Sequence, residues 1–239
     1  MFMMTTSHVF LLRFMNKFLL LLMISISAYA DEIAQYKAKY RFESKEITIT
    51  GIREFKSNND GYEMRFKASN LFARMYFSSK FEINDDLVIP KNYDIKIRPK
   101  FLKRDQLIDF NRENNLIISS GETVWSSILV DSNAILDPLN AQIMIRILIN
   151  KGFEEFDLNI LDIKNGGYKN YNFRIINNEK CIVNKEKYNC LVLERYRSES
   201  DRIVKYYLAK ELDYMFIKII DKSPERTNTL KLEEILSFR

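Results

Sequence analysis

Histidine occurs once among the 239 residues, cysteine twice and tryptophan once. The scarcity of imidazole narrows the chemistry most. The one histidine, His8, lies in the N-terminal stretch "MFMMTTSHVFLLRFMNKFLLLLMISISAYADE". Arg13 and Lys17 precede an apolar core, Phe18 to Ile26, and a small-x-small site at Ala28-Tyr29-Ala30, the layout of a secretory signal peptide. The two basic residues cut the run short of the roughly 20 apolar residues of a spanning helix. The expectation is a cleaved leader over 1–30 and a periplasmic domain over 31–239. That domain has no imidazole, which excludes Ser-His-Asp, Cys-His and histidine-bearing zinc or iron sites.

Carboxylate chemistry, Ser-Lys chemistry and an all-oxygen metal site stay open, but no cluster of the required residues stands out. Asp85 and Asp86, like Glu154 and Glu155, are adjacent in sequence and would point to opposite faces of a strand. Trp125, Ser126 and Ser127 have no nearby Ser-x-x-Lys. A non-enzymatic protein is expected, with no catalytic residue, cofactor or metal. Without Arg13 and Lys17 the 37 basic residues fall by two, against 32 acidic ones, a net charge of +3. A balance this modest does not indicate nucleic acid as a partner.

The two cysteines stand in "CIVNKEKYNC". The stretch reads as a hairpin with Asn184 to Lys187 in the loop, so that Val183 faces Tyr188 and Cys181 faces Cys190. The spacing suits neither C-x-x-C redox chemistry nor a four-ligand zinc site. In an oxidising compartment a local Cys181–Cys190 disulfide is expected, with free thiols the alternative.

What is abundant is period-two alternation, the signature of half-buried strands. "YKAKYRFES" sets Tyr36, Ala38, Tyr40 and Phe42 against Lys37, Lys39, Arg41 and Glu43. "GYEMRFKAS" and "NYDIKIRPK" repeat the pattern. One wet and one dry face predicts an antiparallel sheet. Turns are expected at Ser57 to Gly61, Ile83 to Asp86, Asn111 to Asn114, Lys164 to Gly167 and Asp221 to Asn228. Gly51 interrupts "EITITGIREF" and suggests a bulge or bend. One segment departs from the alternation. "LDPLNAQIMIRILINKG" has Asp137 as a helix cap, Pro138 at the first helical position and Gly152 past the end. Gln142, Arg146 and Asn150 form a narrow polar stripe on an otherwise apolar helix, which is therefore buried. Such a helix either fills the concave face of the sheet or closes one end of a cavity. The fold class expected is mainly β: one antiparallel, strongly curved sheet, open barrel or sandwich-like, wrapped around one apolar α-helix.

The order of these features resembles domain-of-unknown-function family 3108. The matching stretches include "YKAKYRFESKEITITGIREF", "VIPKNYDIKIRP", "LIDFNRENNLI", "LDPLNAQIMIRILINKG" and "YYLAKELDYMFIKIID". The chain departs from the family pattern at "NEKCIVNKEKY" and "YYLAKEL". The resemblance implies a periplasmic, β-rich protein of undefined activity and offers no active-site residues. An apolar ligand or lipid held in the curved sheet is the first functional expectation, with Tyr40, Phe42 and Phe66 facing it. The alternative is a scaffold module that binds an envelope protein or an anionic membrane surface through Lys96, Arg98 and Lys100. The chain is expected to be a monomer.

Overall fold

A computed structural model describes residues 33–99, 104–129, 135–198 and 200–239. The leader expected over 1–30 and Lys100 lie outside the described residues. Eight strands follow in a meander from the first half of the chain: β1 (Tyr36–Glu43), β2 (Thr48–Asn58), β3 (Gly61–Ser69), β4 (Ala73–Asn84), β5 (Leu87–Pro99), β6 (Arg104–Asn111), β7 (Leu116–Gly121) and β8 (Trp125–Ile128). A short β9 (Ile135–Leu136) leads into helix α1 (Asn140–Asn150). The chain then meanders back through β10 (Glu155–Leu161), β11 (Tyr168–Val183), β12 (Glu186–Arg197), β13 (Ser200–Ala209), β14 (Met215–Lys222) and β15 (Thr227–Phe238). Pairing of β1 with β15 joins the two arms into one fifteen-stranded sheet whose edges are β8 and β9. The sheet does not close.

The expected antiparallel pairing holds at every junction except one. β9 and β10 are parallel, because α1 carries the chain back before β10 begins, and a helical crossover of this kind produces parallel neighbours. The sheet is therefore mixed. Register shifts in the pairs β1–β15, β4–β5, β11–β12, β12–β13 and β13–β14 each insert a local kink. Bulges raise the right-handed twist, which curves a sheet this wide around its helix. Gly51 is not one of them. It pairs regularly with Tyr40 and Ala68, and its missing side chain admits a close approach instead. A Cβ there would lie 2.6 Å from both the Ala68 Cβ and the Lys67 carbonyl.

Alternation sorts the side chains much as the sequence suggests: Tyr36, Ala38 and Tyr40 are buried while Lys37, Arg41 and Glu43 are exposed. β12 differs, with an unbroken buried run from Cys190 to Glu194, so both of its faces are covered. The cysteine hairpin is tighter than expected. Val183 pairs with Glu186 and Cys181 with Tyr188, leaving only Asn184 and Lys185 in the turn. Both have positive φ, 51° and 74°, the two-residue turn whose twist matches its flanking strands. Cys181 and Cys190 are consequently diagonal rather than directly opposed. They still form the disulfide, with Cα atoms 5.8 Å apart.

α1 is buried on nearly all sides. Regular helix starts at Asn140, yet the Asp137 carbonyl already accepts the Ala141 N–H at 3.0 Å. The Asp137 carboxylate accepts the Leu139 and Asn140 N–H groups at 2.8 and 3.1 Å, which is what an N-cap does. A tighter bond from the Gln142 N–H to the Leu139 carbonyl displaces the regular pattern in this first turn. At the other end Gly152, at φ 84°, closes the helix. Its N–H bonds the Ile149 carbonyl and the Phe153 N–H bonds the Leu148 carbonyl, the paired bonds of a Schellman motif.

Candidate functional site

The polar stripe of α1 is half-buried at Gln142, buried at Arg146 and reaches the surface fully only at Asn150. Each of its residues meets a specific partner on the surrounding wall. Gln142 accepts a hydrogen bond from Arg53 of β2 and donates to the Pro138 carbonyl at 2.8 Å. Arg146 donates to the Asp213 carboxylate at 2.6 Å, the Asp213 carbonyl at 2.9 Å and the Ala34 carbonyl at 3.0 Å. Asn150 donates to the other Asp213 carboxylate oxygen. Burial and Asp213 act on Arg146 in opposite senses, and burial, the larger, lowers its pKa. The cap residue is tied to the sheet as well: the Asp137 carboxylate accepts from the Ser79 hydroxyl at 2.6 Å. Asp137 is fully buried, and burial lifts its carboxyl to about 6 against the opposing pull of four hydrogen bonds.

Beside the first turn of α1 the inner face of the sheet is not filled. A cleft of about 630 Å³ opens there, at the end where β1 stops and β4 and β15 begin. Pro138, Leu139 and Gln142 form its helix wall. Phe42, Phe66, Phe77 and Met75 line one side, and Ile219 and Leu230 the other. The rings of Phe66 and Phe77 sit 6.5 Å apart. Arg53 also lines the cleft, and at the mouth Arg202 is bound to Asp221 at 2.7 Å. The helix thus fills part of the concavity and walls the remainder.

Phe42 and Phe66, expected to face a ligand, line this cleft. Tyr40 does not. It is fully buried behind Arg53, whose guanidinium lies 5.4 Å from the ring centroid. The Tyr40 hydroxyl donates to the Phe216 carbonyl at 2.6 Å, and burial pushes its pKa well up. Lys96 and Arg98 stand on the outer face, each with a carboxylate partner: Asp94 at 2.5 Å and Asp105 at 2.8 Å. The Lys96 ammonium also lies over the Tyr76 ring. These pairs neutralise much of the charge an anionic surface would meet. Trp125 donates its indole N–H to the Ile163 carbonyl at 3.0 Å and packs on Gly166. Among the described residues no three His, Cys, Asp or Glu side chains converge to hold a metal ion.

Sequence reading overlooked Arg53, although parity points to it. In "EITITGIREF" it shares a face with Ile49, Gly51 and Phe55, all buried. A charged residue on the dry side of a strand is the signal.

The fold and cleft define an open, barrel-like β protein built around one helix. No family model matches the chain, and no curated protein is significantly similar to it in sequence. It is similar in structure to a β-barrel-like protein of domain of unknown function DUF1849 from Brucella abortus. The TM-score is 0.57 at 8% identity, over 86% of this chain and 99% of that one. At that identity the likeness is one of fold alone. The resemblance to family 3108 rests on motif order.

Proposed function

We propose that this protein is a non-enzymatic envelope protein that binds an apolar ligand between the sheet and the first turn of α1. One observation carries the reading. The cleft has a volume of about 630 Å³ and walls that are mostly aromatic and aliphatic, within the roughly 300–1,000 Å³ typical of small-molecule sites. A curved sheet that needed only a core would have closed on these side chains, because packed interiors leave few voids larger than a water molecule. A neutral, environment-sensitive dye such as N-phenyl-1-naphthylamine tests the site. Its fluorescence is expected to rise on binding, and Leu230→Trp, which fills the cleft, to weaken it by about tenfold or more. Unchanged dye affinity in a variant that melts like the parent would refute the reading.

Residence in the periplasm belongs to the same proposal. It is supported by the N-terminal pattern and by the Cys181–Cys190 disulfide, a bond that persists in oxidising compartments. N-terminal sequencing of the protein recovered from its native cells is expected to begin at Asp31. Recovery of a chain that still carries His8 would overturn it.

A further inference from the structure

An apolar ligand alone leaves one feature of the cleft unexplained. Arg53 and Arg146 are both 1% exposed, and both bond the polar stripe or its surroundings. They differ in their counter-charge. Arg146 has the Asp213 carboxylate and two carbonyls. Arg53 has no ion pair among the described residues, and its one hydrogen bond runs to the neutral Gln142 amide. Among the described residues its Nε and Nη1 atoms have no hydrogen-bond partner. The faces of Tyr40 and Phe216, 5.4 and 6.0 Å from the guanidinium, offset only part of the lost hydration. A buried cation left without a counter-ion is destabilising, because it has lost its hydration and gained no opposite charge. The uncompensated cation lines the apolar cleft, where few competing dipoles weaken its field.

We infer that the cleft selects single-chain amphiphiles with an oxyanion head, carboxylate or phosphate. The chain lies against Phe66, Phe77 and Met75, and the head sits at Arg53. Gln142, which also lines the cleft, supplies the acceptor that the oxyanion displaces. A charged acceptor is stronger than a neutral amide, and the guanidinium fork suits a carboxylate or phosphate. Arg202 at the mouth cannot take this role, since Asp221 already occupies it. This inference rests on the reading of the cleft as an apolar ligand site.

Displacement of the neutral dye by laurate, dodecyl phosphate and 1-dodecanol at neutral pH separates the two claims. At least one of the two anions is expected to bind about tenfold or more tightly than the alcohol, the scale of a hydrogen bond to a charged group; which of them binds tells a carboxylate site from a phosphate site. Arg53→Met is expected to bring the anion down to the alcohol's affinity while the dye and the alcohol bind as before. Arg53→Lys is expected to keep part of the preference, and Arg226→Ala, which removes an exposed, hydrated cation from the rim of the cleft, all of it. Equal binding of all three amphiphiles by the parent protein would refute the anionic preference and leave the apolar site standing. A preference that survives Arg53→Met, or that vanishes in Arg226→Ala, would refute the role of Arg53. Failure of the dye and every amphiphile to bind would remove the ligand site itself. Should Arg53→Met not fold, the parent's preference together with Arg53→Lys and Arg226→Ala decides the matter.

Discussion

The Asp137 carboxylate accepts hydrogen bonds from two backbone N–H groups, from Ser79 and from the Asn140 amide. These bonds favour the ionised form, yet burial outweighs them and holds the group at about 6, above its usual 3.8. Between these values the native chain keeps a proton that the unfolded chain releases. This carboxyl therefore stabilises the fold most below about pH 4, and that contribution is lost as the pH rises through 6. Replacing Asp137 with Asn removes the titration but leaves an acceptor for the helix N-terminus. Asn140, whose Oδ1 has no partner among the described residues, can turn its amide to accept from the new one. Urea unfolding across this range is expected to show the parent losing about 2–3 kcal/mol relative to Asp137→Asn between pH 4 and pH 7. Parallel profiles would mean that the buried carboxyl does not titrate there.

Strand and helix place quite different demands on glycine. Gly152 ends α1 at φ 84°, and a Cβ built there meets nothing within 4 Å. Gly51 lies mid-strand, where a Cβ would strike the backbone and side chain of β3. Gly152→Ala therefore adds only left-handed strain, about 1 kcal/mol. Gly51→Ala must push two paired strands apart, and overpacking of this kind costs about 1–3 kcal/mol or more. Chemical denaturation of the two variants should rank Gly51→Ala as the more damaging; the reverse order would place the crowding elsewhere. The alternation of β1, β3 and β5 and the punctuation of α1 were legible in sequence because each is a local pattern. The exact hairpin was not. A two-residue turn at Asn184 and Lys185 differs from a four-residue one only in backbone twist, which residue types do not specify uniquely.

The molecule is drawn together by few long-range polar contacts. Asp213, from the corner between β13 and β14, receives Arg146 and Asn150 of α1 and the Ala34 N–H ahead of β1. Sequence distances of 63 to 179 residues are closed at this one carboxylate. Its backbone is left-handed at φ 47°, which Asn tolerates well, so Asp213→Asn tests the charge without disturbing the turn. The substitution strands the buried Arg146 cation and is expected to cost about 3–5 kcal/mol in urea unfolding. A loss below about 1 kcal/mol would show that the two carbonyls suffice to hold Arg146.

Residue order alone determined the class of fold: strands that are wet on one side and dry on the other, one buried helix with its cap and stop, and a cysteine pair close enough to bridge. These depend on neighbours within a few positions, where the periods of strand and helix apply. Only the tertiary structure decided that α1 turns its polar stripe to the wall, that β9 and β10 run parallel, and that an unfilled cleft lies beside a buried Arg53 with no ion pair among the described residues. Those features arise between residues far apart in the chain, through curvature accumulated over fifteen strands, and a charge is known to be unpaired only once all its neighbours are in place.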